Sequence, residues 1–180
     1  MKNKGPVEQS SGERQAETEI HPGTRKIRIF LAEDQTIFRE VLRHLLSTDA
    51  RLEVVGEAED GFKAVRGAAK LKPDMILMDL SMPRLNGIEA LKEIKRSSKT
   101  IQILVLTSHE DEEHVLRAFE AGVSAYVVKD VAFHELLFAI GEVAKGKIYI
   151  GPAVCGAIVR DYLKNRPLSS PVKGLPCMMP

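Results

Sequence analysis

Five short apolar runs recur along the chain between residues 27 and 128. They occupy residues 27–31, 52–55, 75–78, 101–106 and 125–128. Several of the runs are continuous rather than alternating, which is typical of strands that are covered on both faces. The pattern therefore predicts five buried β-strands.

Segments with a helical period separate and follow these runs. Their apolar residues recur every three or four positions, which predicts an amphipathic helix after each strand. The predicted apolar stripes are Ile37, Val41, Leu42, Leu45 and Leu46; Phe62, Val65 and Ala69; Ile88, Leu91 and Ile94; Val115, Phe119 and Gly122; and Leu136, Leu137, Ile140 and Val143. Five strand–helix repeats predict an α/β fold with a doubly wound, parallel, five-stranded sheet.

Length and charge limit the classes of protein that fit this pattern. The 180 residues suffice for one domain with a full-sized core. Because 26 Lys and Arg residues face 25 Asp and Glu residues, no overall field attracts nucleic acid or an anionic membrane. No apolar stretch approaches the roughly 20 residues that span a bilayer, and no segment is typical of a secretory signal. We therefore expect a cytoplasmic protein without a membrane partner.

The chain divides into three regions. Residues 1–25 are polar and have almost no large apolar side chains, so we interpret them as a flexible N-terminal extension. The predicted domain spans residues 26–147. Beyond it Val154, Ile158 and Tyr162 recur with a helical period, which predicts a linker helix near residues 153–164. We expect residues 148–180 to be this helix followed by a disordered tail.

Polar residues stand where four of the predicted strands end. Glu33 and Asp34 follow the first apolar run, Asp79 follows the third, Thr107 follows the fourth and Lys129 follows the fifth. In open α/β sheets, ligands bind beyond the carboxyl ends of the strands. These five side chains are therefore candidates for one functional site.

The three carboxylates of this set would repel one another unless a cation neutralised them. Oxygen ligands without a nearby His or Cys favour Mg²⁺, which binds a few carboxylate and carbonyl oxygens and keeps several waters. The Lys129 ammonium and the Thr107 hydroxyl, placed around a carboxylate, would stabilise phosphoryl oxygens. The set therefore indicates magnesium-dependent phosphoryl chemistry.

The motifs at these strand ends resemble the receiver domain of bacterial response regulators. They are Glu33-Asp34, Asp79 followed by Met82-Pro83 and Asn86-Gly87, Thr107, and Tyr126-Val127-Val128-Lys129. The stretches 31–34, 107–111, 129–130 and 147–152 resemble more narrowly the LuxR-type transcriptional regulators. The resemblance implies a flavodoxin-like (βα)5 fold and a role in a two-component phosphorelay.

The resemblance also implies a role for each site residue. Asp79 would accept a phosphoryl group from a sensor histidine kinase and form an aspartyl phosphate. Asp34, Asp79 and the backbone carbonyl of Ser81 would bind Mg²⁺ directly, and Glu33 would act through a bound water. The domain would signal rather than act as an enzyme, with at most slow self-dephosphorylation.

The resemblance places the switch at two further strand ends. Thr107 and Lys129 would contact the phosphoryl group, and Tyr126 would turn inward as Thr107 moves. The helix over residues 111–121 and the strand ending at Lys129 would form the switching surface, through which a homodimer could assemble.

Several polar residues also have ordinary structural interpretations. Asp34 is well suited to cap the helix that begins near Gln35. His109 could reach the acidic site, although an exposed loop histidine is the favoured interpretation. The acidic run from Asp111 to Glu113 suits the positive end of a helix dipole, so we interpret it as structural rather than as a metal site.

The C-terminal segment departs from the LuxR-type pattern. Those regulators continue into a helix-turn-helix domain that enters the major groove of DNA. Prolines at 167, 171, 176 and 180 leave no uninterrupted stretch for even one good helix. We therefore expect no complete DNA-binding domain and no nucleic acid binding by this chain alone. It is either a receiver-only regulator or a LuxR-type transcriptional regulator shortened by a premature stop, a frameshift near Ser170 or an artificial boundary.

Two other functions compete with the receiver. Some Mg²⁺-dependent phosphohydrolases use a strand-end aspartate, but they resemble one another in a second Asp two positions later, where this chain has Ser81. A flavin-binding domain would need a Ser-, Thr- or Gly-rich phosphate loop after the first strand. This chain has the acidic stretch 32–35 there, which would repel a phosphate unless a cation intervened.

Overall fold

The computed structural model describes residues 25–109 and 111–165. The predicted C-terminal tail and all but Arg25 of the predicted N-terminal extension lie outside the described residues. The strands are β1 (Ile27–Ala32), β2 (Leu52–Ala58), β3 (Met75–Met78), β4 (Gln102–Thr107), β5 (Ala125–Val128) and β6 (Tyr149–Ile150). The helices are α1 (Thr36–Ser47), α2 (Gly61–Leu71), α3 (Gly87–Ser97), α4 (Glu112–Glu120), α5 (Phe133–Ala144) and α6 (Pro152–Asn165).

The strands form one parallel sheet in the order β2-β1-β3-β4-β5-β6. The predicted α/β class, parallel pairing and doubly wound architecture are confirmed. The strand order reverses after β1, so a crevice opens between the carboxyl ends of β1 and β3. The topology thus brings the segments after β1 and β3 to the place where such sheets bind ligands.

Helices cover both faces of the sheet. Residues of α2, α3 and α4 pack on one face, and residues of α1 and α5 pack on the other. All four residues of β3 and all four of β5 are buried, which explains their continuous apolar sequences. Two apolar layers therefore hold the strand ends in fixed positions.

The sheet has six strands in the described residues, not the five that were predicted. Strand β6 pairs with β5, and the Tyr149 N–H donates to the Ser124 carbonyl at 3.0 Å while the Gly151 N–H donates to the Tyr126 carbonyl at 2.8 Å. A strand of two residues leaves no periodic pattern, so the sequence does not reveal it. The segment after α5 thus begins as part of the sheet.

Two helices bury only part of the apolar stripes predicted for them. In α1, Leu42 and Leu46 of the predicted stripe are buried, whereas Ile37 and Val41 are exposed. Phe62 of α2 is likewise 55% exposed. Small residues of α2 face the sheet instead, because the ring of Phe30 fills the space beneath the helix.

Helix α6 is packed against the domain rather than separate from it. Val154 is fully buried, and Ile158 packs against the same core. The Lys164 Nζ lies 3.1 Å from the Glu112 Oε1, which links the end of α6 to the first turn of α4. Of the predicted stripe only Tyr162 is exposed.

Gly87 allows α3 to begin against the backbone of Asp79. Its N–H donates to the Leu80 carbonyl at 3.0 Å, and the preceding Asn86 caps the helix through the Glu89 N–H. A Cβ atom at position 87 would overlap the Asp79 carbonyl oxygen and lie 2.5 Å from the Leu80 Cα. A glycine at this position therefore helps to fix the strand end that carries Asp79.

Gly87→Ala tests this close approach. We expect a loss of about 1–3 kcal/mol in the free energy of unfolding, because backbone must move to admit the methyl group. Gly141→Ala is the matched control: it lies inside α5 with no atom near its added Cβ, so a gain of up to about 1 kcal/mol is expected. Urea-induced unfolding measures both, and equal effects would contradict the packing argument.

Candidate functional site at the carboxyl edge of the sheet

Asp79 lies directly after β3 and is only 2% exposed. Its N–H donates to the Ala32 carbonyl at 2.9 Å, which joins it to the end of β1. Its Oδ1 accepts a hydrogen bond from the Ser81 N–H at 3.2 Å. The backbone of two strands and one loop therefore holds this carboxylate in place.

Lys129 brings a positive charge to this carboxylate. Its Nζ lies 2.8 Å from the Asp79 Oδ2 and 2.8 Å from the Glu33 Oε2. The Lys129 N–H donates to the Thr107 carbonyl, and its ammonium lies 4.7 Å from the centre of the Phe38 ring. Lys129, which follows β5, thus joins the residues after β1 and β3 through its ammonium and the end of β4 through its backbone.

Burial and ion pairing oppose each other in this group. Burial raises the pKa of Glu33, and the nearby Asp79 charge acts in the same direction, while the hydrogen bond from Lys129 opposes both. Burial alone would lower the pKa of Lys129, but its hydrogen bonds with Asp79 and Glu33 raise it. Lys129 is therefore cationic at neutral pH. Burial of the Glu33 carboxylate has a desolvation cost, which its ion pair with Lys129 offsets.

Asp34 leaves a buried polar atom without a partner. Its Oδ1 is buried and has no hydrogen bond, and one oxygen each from Glu33, Asp34 and Asp79 lie within 4.8 Å of one another. Helix α1 is capped at Gln35 with no side-chain hydrogen bond, so the interpretation of Asp34 as a helix cap is wrong. Three carboxylates face one ammonium, and this donor set fits a hard divalent cation such as Mg²⁺.

Thr107 and Tyr126 lie beside this acidic group and are both fully buried. The His109 N–H donates to the Thr107 Oγ1 at 3.4 Å, and the Tyr126 hydroxyl donates to the His109 carbonyl at 2.9 Å. Burial raises the pKa of Tyr126, so its hydroxyl stays protonated as a donor. The two predicted switch residues are thus connected through the backbone of His109.

His109 lies closer to the acidic group than the favoured sequence interpretation allowed. Its side chain is 41% exposed, but its Nε2 lies 2.9 Å from the Ser81 Oγ. Ser81 stands two positions after Asp79, and His109 stands two positions after Thr107 on the neighbouring strand. This equal spacing from two predicted site residues is the signal that could have placed His109 near Ser81.

The acidic run after His109 begins α4, as predicted. The Asp111 side chain caps the helix by accepting from the His114 N–H at 3.1 Å, and Glu112 and Glu113 lie in the first turn. These charges face the positive end of the helix dipole.

Within the described ranges, no helix is both long and apolar enough to cross a membrane.

The parallel sheet and the acidic group at its carboxyl edge together define an α/β domain with a ligand site at the strand ends. The family model for the response regulator receiver domain matches residues 29–141. The chain belongs to this family, whose members receive phosphoryl groups from sensor kinases and generally bind Mg²⁺ at the acidic phosphorylation site.

Individual relatives support the same assignment. The transcriptional regulatory protein DegU of Brevibacillus brevis is 36% identical over 137 residues, which cover 76% of this chain and 58% of DegU. A LuxR-family two-component response regulator from Aurantimonas sp. has a solved structure with a TM-score of 0.73 and 35% identity, covering 77% of this chain and 99% of that one. A structure of RcsB dimers bound to DNA is similar at a TM-score of 0.69 and 27% identity, covering 75% and 69%.

The chain spans 58% to 66% of the length of the curated relatives DegU, YxjL, YhcZ and VraR. These relatives identify a receiver domain that is similar to those of LuxR-type regulators. The expected absence of a helix-turn-helix domain stays a prediction.

Lys129→Met tests the central ion pairs. We expect a loss of about 3 kcal/mol in the free energy of unfolding in metal-free buffer, because Glu33 and Asp79 would remain buried without a cation. Adding Asp79→Asn should recover part of this loss. Lys145→Met, which removes a 66% exposed lysine paired with Glu142, should cost less than about 1 kcal/mol. Similar small losses for both lysines in chemical unfolding would refute a central role for Lys129.

Proposed function

We propose that this protein is a response regulator in which Asp79 accepts a phosphoryl group from a sensor histidine kinase, in a Mg²⁺-dependent reaction in the cytoplasm. The observation that carries the proposal is the buried Asp79 carboxylate, paired with Lys129 at 2.8 Å beside an Asp34 oxygen that has no partner. A purely structural ion pair between Lys129 and its two carboxylates would not need the buried, unpartnered oxygen of Asp34.

The covalent step balances without a further reactant. A carboxylate oxygen of Asp79 attacks the phosphorus of the phosphohistidine, the new P–O bond forms, and the P–N bond breaks with its electron pair returning to the imidazole. The Lys129 ammonium then contacts the phosphoryl oxygens. The Thr107 hydroxyl accepts from the His109 N–H and keeps its own hydrogen, which it can donate to the phosphoryl group.

The metal site uses residues that already converge. Asp34, Asp79 and the backbone carbonyl of Ser81 would bind Mg²⁺ directly, and Glu33 would act through water while its Oε2 stays paired with Lys129. Bound Mg²⁺ would neutralise charge on the carboxylates and on the incoming phosphoryl oxygens. The protein residues position that charge before the phosphoryl group arrives.

The conformational signal would pass from Thr107 to Tyr126. A shift of the Thr107 hydroxyl toward a phosphoryl group would weaken its contact with the His109 N–H. The His109 carbonyl accepts from the Tyr126 hydroxyl, so the position of the tyrosine ring responds to the same loop. We infer that α4 and β5 form the switching surface and serve homodimerisation.

The output of the whole protein is inferred from its relatives. DegU is a transcriptional regulatory protein, and RcsB has been solved as dimers bound to DNA. We propose that residues 26–147 are the regulated domain, that α6 starts the connection to the output, and that the output is LuxR-type transcription regulation. A phosphohydrolase is not favoured, because Ser81 offers no second carboxylate beside Asp79.

Phosphoryl labelling tests the role of Asp79. The wild-type chain, incubated with Mg²⁺ and a small phosphodonor such as acetyl phosphate, should acquire an acid-stable and base-labile label. Asp79→Asn should remove the label, because an amide oxygen is a poor nucleophile. Asp130→Asn, which changes an exposed carboxylate next to Lys129, should label like wild type. Equal labelling of Asp79→Asn would show that the acceptor is another residue.

Stabilisation by Mg²⁺ tests the metal site independently of phosphorylation. At about 100 times its dissociation constant, Mg²⁺ should raise the free energy of unfolding by about 2.7 kcal/mol. Asp34→Asn should lose most of this increment, because the unpartnered oxygen charge is removed. Asp74→Asn, at the opposite edge of the sheet, should keep it. An unchanged increment in Asp34→Asn, measured by urea unfolding with and without Mg²⁺, would overturn the assignment.

A further inference from the structure

Two imidazoles and a carboxylate converge at the start of α4, beside the acidic group that contains Asp79. His109, Asp111 and His114 each place one potential ligand atom within 4.8 Å of the others. The proposed phosphoacceptor function does not use His114 or Asp111. Both histidine side chains are 41% exposed and Asp111 is 52% exposed, so the cluster is open to solvent.

The two imidazoles face the same carboxylate. The His114 Nδ1 lies 2.7 Å from the Asp111 Oδ1, and the His109 Nδ1 lies 3.8 Å from the Asp111 Oδ2. The rings are stacked, with centroids 4.5 Å apart and an interplanar angle of 7°. Helix capping uses the Asp111 Oδ1, so the Oδ2 can serve as a ligand while the cap is kept.

Ser81 gives His109 the outer hydrogen bond that a metal ligand needs. The Nε2 of His109 lies 2.9 Å from the Ser81 Oγ. When Nε2–H donates to that hydroxyl, the Nδ1 carries the lone pair and points toward the carboxylate. Histidines that bind metals nearly always donate their second ring N–H to an oxygen in this way. This contact comes from a different strand end and is independent of the capping geometry.

We propose that His109, Asp111 and His114 bind one divalent transition-metal ion of the zinc class, at a site separate from the acidic Mg²⁺ site. Two imidazole nitrogens and one carboxylate oxygen form a common set of protein ligands for Zn²⁺, with a water in the fourth position. Bonds of about 2.1 Å place tetrahedral donors about 3.4 Å apart. The three donor atoms lie within 4.8 Å of one another, so small side-chain rotations would bring them to that spacing.

The chemistry of the two sites separates their ions. Imidazole favours zinc, copper and nickel, whereas a set of oxygens alone favours magnesium. Excess Mg²⁺ would therefore occupy the carboxylates of Glu33, Asp34 and Asp79 and leave the histidine cluster to the transition metal.

A bound ion would connect the loop after β4 to the first turn of α4. The carbonyl of His109 accepts from the Tyr126 hydroxyl, so the ion would fix the segment that contacts this tyrosine. The site would thus allow a transition metal to restrain the same loop that the phosphorylation site contacts through Thr107.

Zinc titration of the full 180-residue chain tests the proposal. All proteins carry Cys155→Ser and Cys177→Ser to remove thiols, and the buffer holds excess Mg²⁺ to fill the acidic site. Isothermal titration calorimetry measures stoichiometry and affinity, and visible absorption of bound Co²⁺ reports coordination by imidazole. We expect one Zn²⁺ per chain. His114→Ala and His109→Ala should each lower the zinc affinity at least tenfold, because loss of an outer hydrogen-bond partner alone lowers metal affinity about 10-fold.

The matched control replaces the other three histidines with alanine, at positions 21, 44 and 134, and should bind zinc like the parent. Asp34→Asn should also keep zinc binding, because it alters only the acidic site. Proton NMR of the parent protein adds a readout without histidine substitutions, in which zinc should shift the ring signals of His109 and His114 and leave those of His44 and His134 in place. Absence of binding, binding that survives His109→Ala with His114→Ala, or loss of binding in Asp34→Asn would overturn the proposal.

Discussion

The Lys129 ammonium is the interaction on which the acidic edge of this domain depends. It contacts the carboxylates of Glu33 and Asp79 at the same distance, and all three side chains are largely removed from water. Two carboxylates that close together, and that well buried, would each favour protonation without a cation between them. The lysine and Asp79 are 50 positions apart in the chain, so this charge balance exists only once β5 has joined the sheet. Folding and preparation of the site are therefore one event.

The parallel sheet explains why so few residues can combine so many contacts. Every carboxyl end lies at one edge, and residues just past β1, β3, β4 and β5 become neighbours although they are distant in sequence. The same arrangement extends the acidic site sideways, from Ser81 to His109 and from His109 to Tyr126. The region between Asp79 and α4 thus contains defined polar contacts rather than a uniform apolar core.

The fold class and the residues that gather at the acidic site can be predicted from the sequence. The faces that the helices bury and the contacts between site residues cannot. Continuous apolar runs predict β3 and β5, because strands covered on both faces have few alternatives. The buried face of α2 lies one residue before its predicted stripe, and part of the α1 stripe is exposed. The space beneath α2 depends on neighbours such as Phe30 that no local pattern reveals. The contact between His109 and Ser81 depends on strand adjacency, which follows from the tertiary fold. The unpartnered oxygen of Asp34 is also a property of the folded site, since the sequence equally allows that side chain to cap a helix.

Strand β6 links the segment after α5 directly to β5. The Gly151 N–H bonds to the carbonyl of Tyr126 itself, while the side chain of that tyrosine bonds to the loop beside Thr107. One residue therefore has its backbone bonded to the segment that leads to α6 and its hydroxyl bonded to the loop after β4. Any free energy that couples the two ends must act equally in both directions. A partner that binds α6 and strains β6 would therefore change the affinity of the acidic site for its ligands. Those ligands would change the affinity of α6 for the partner by the same factor.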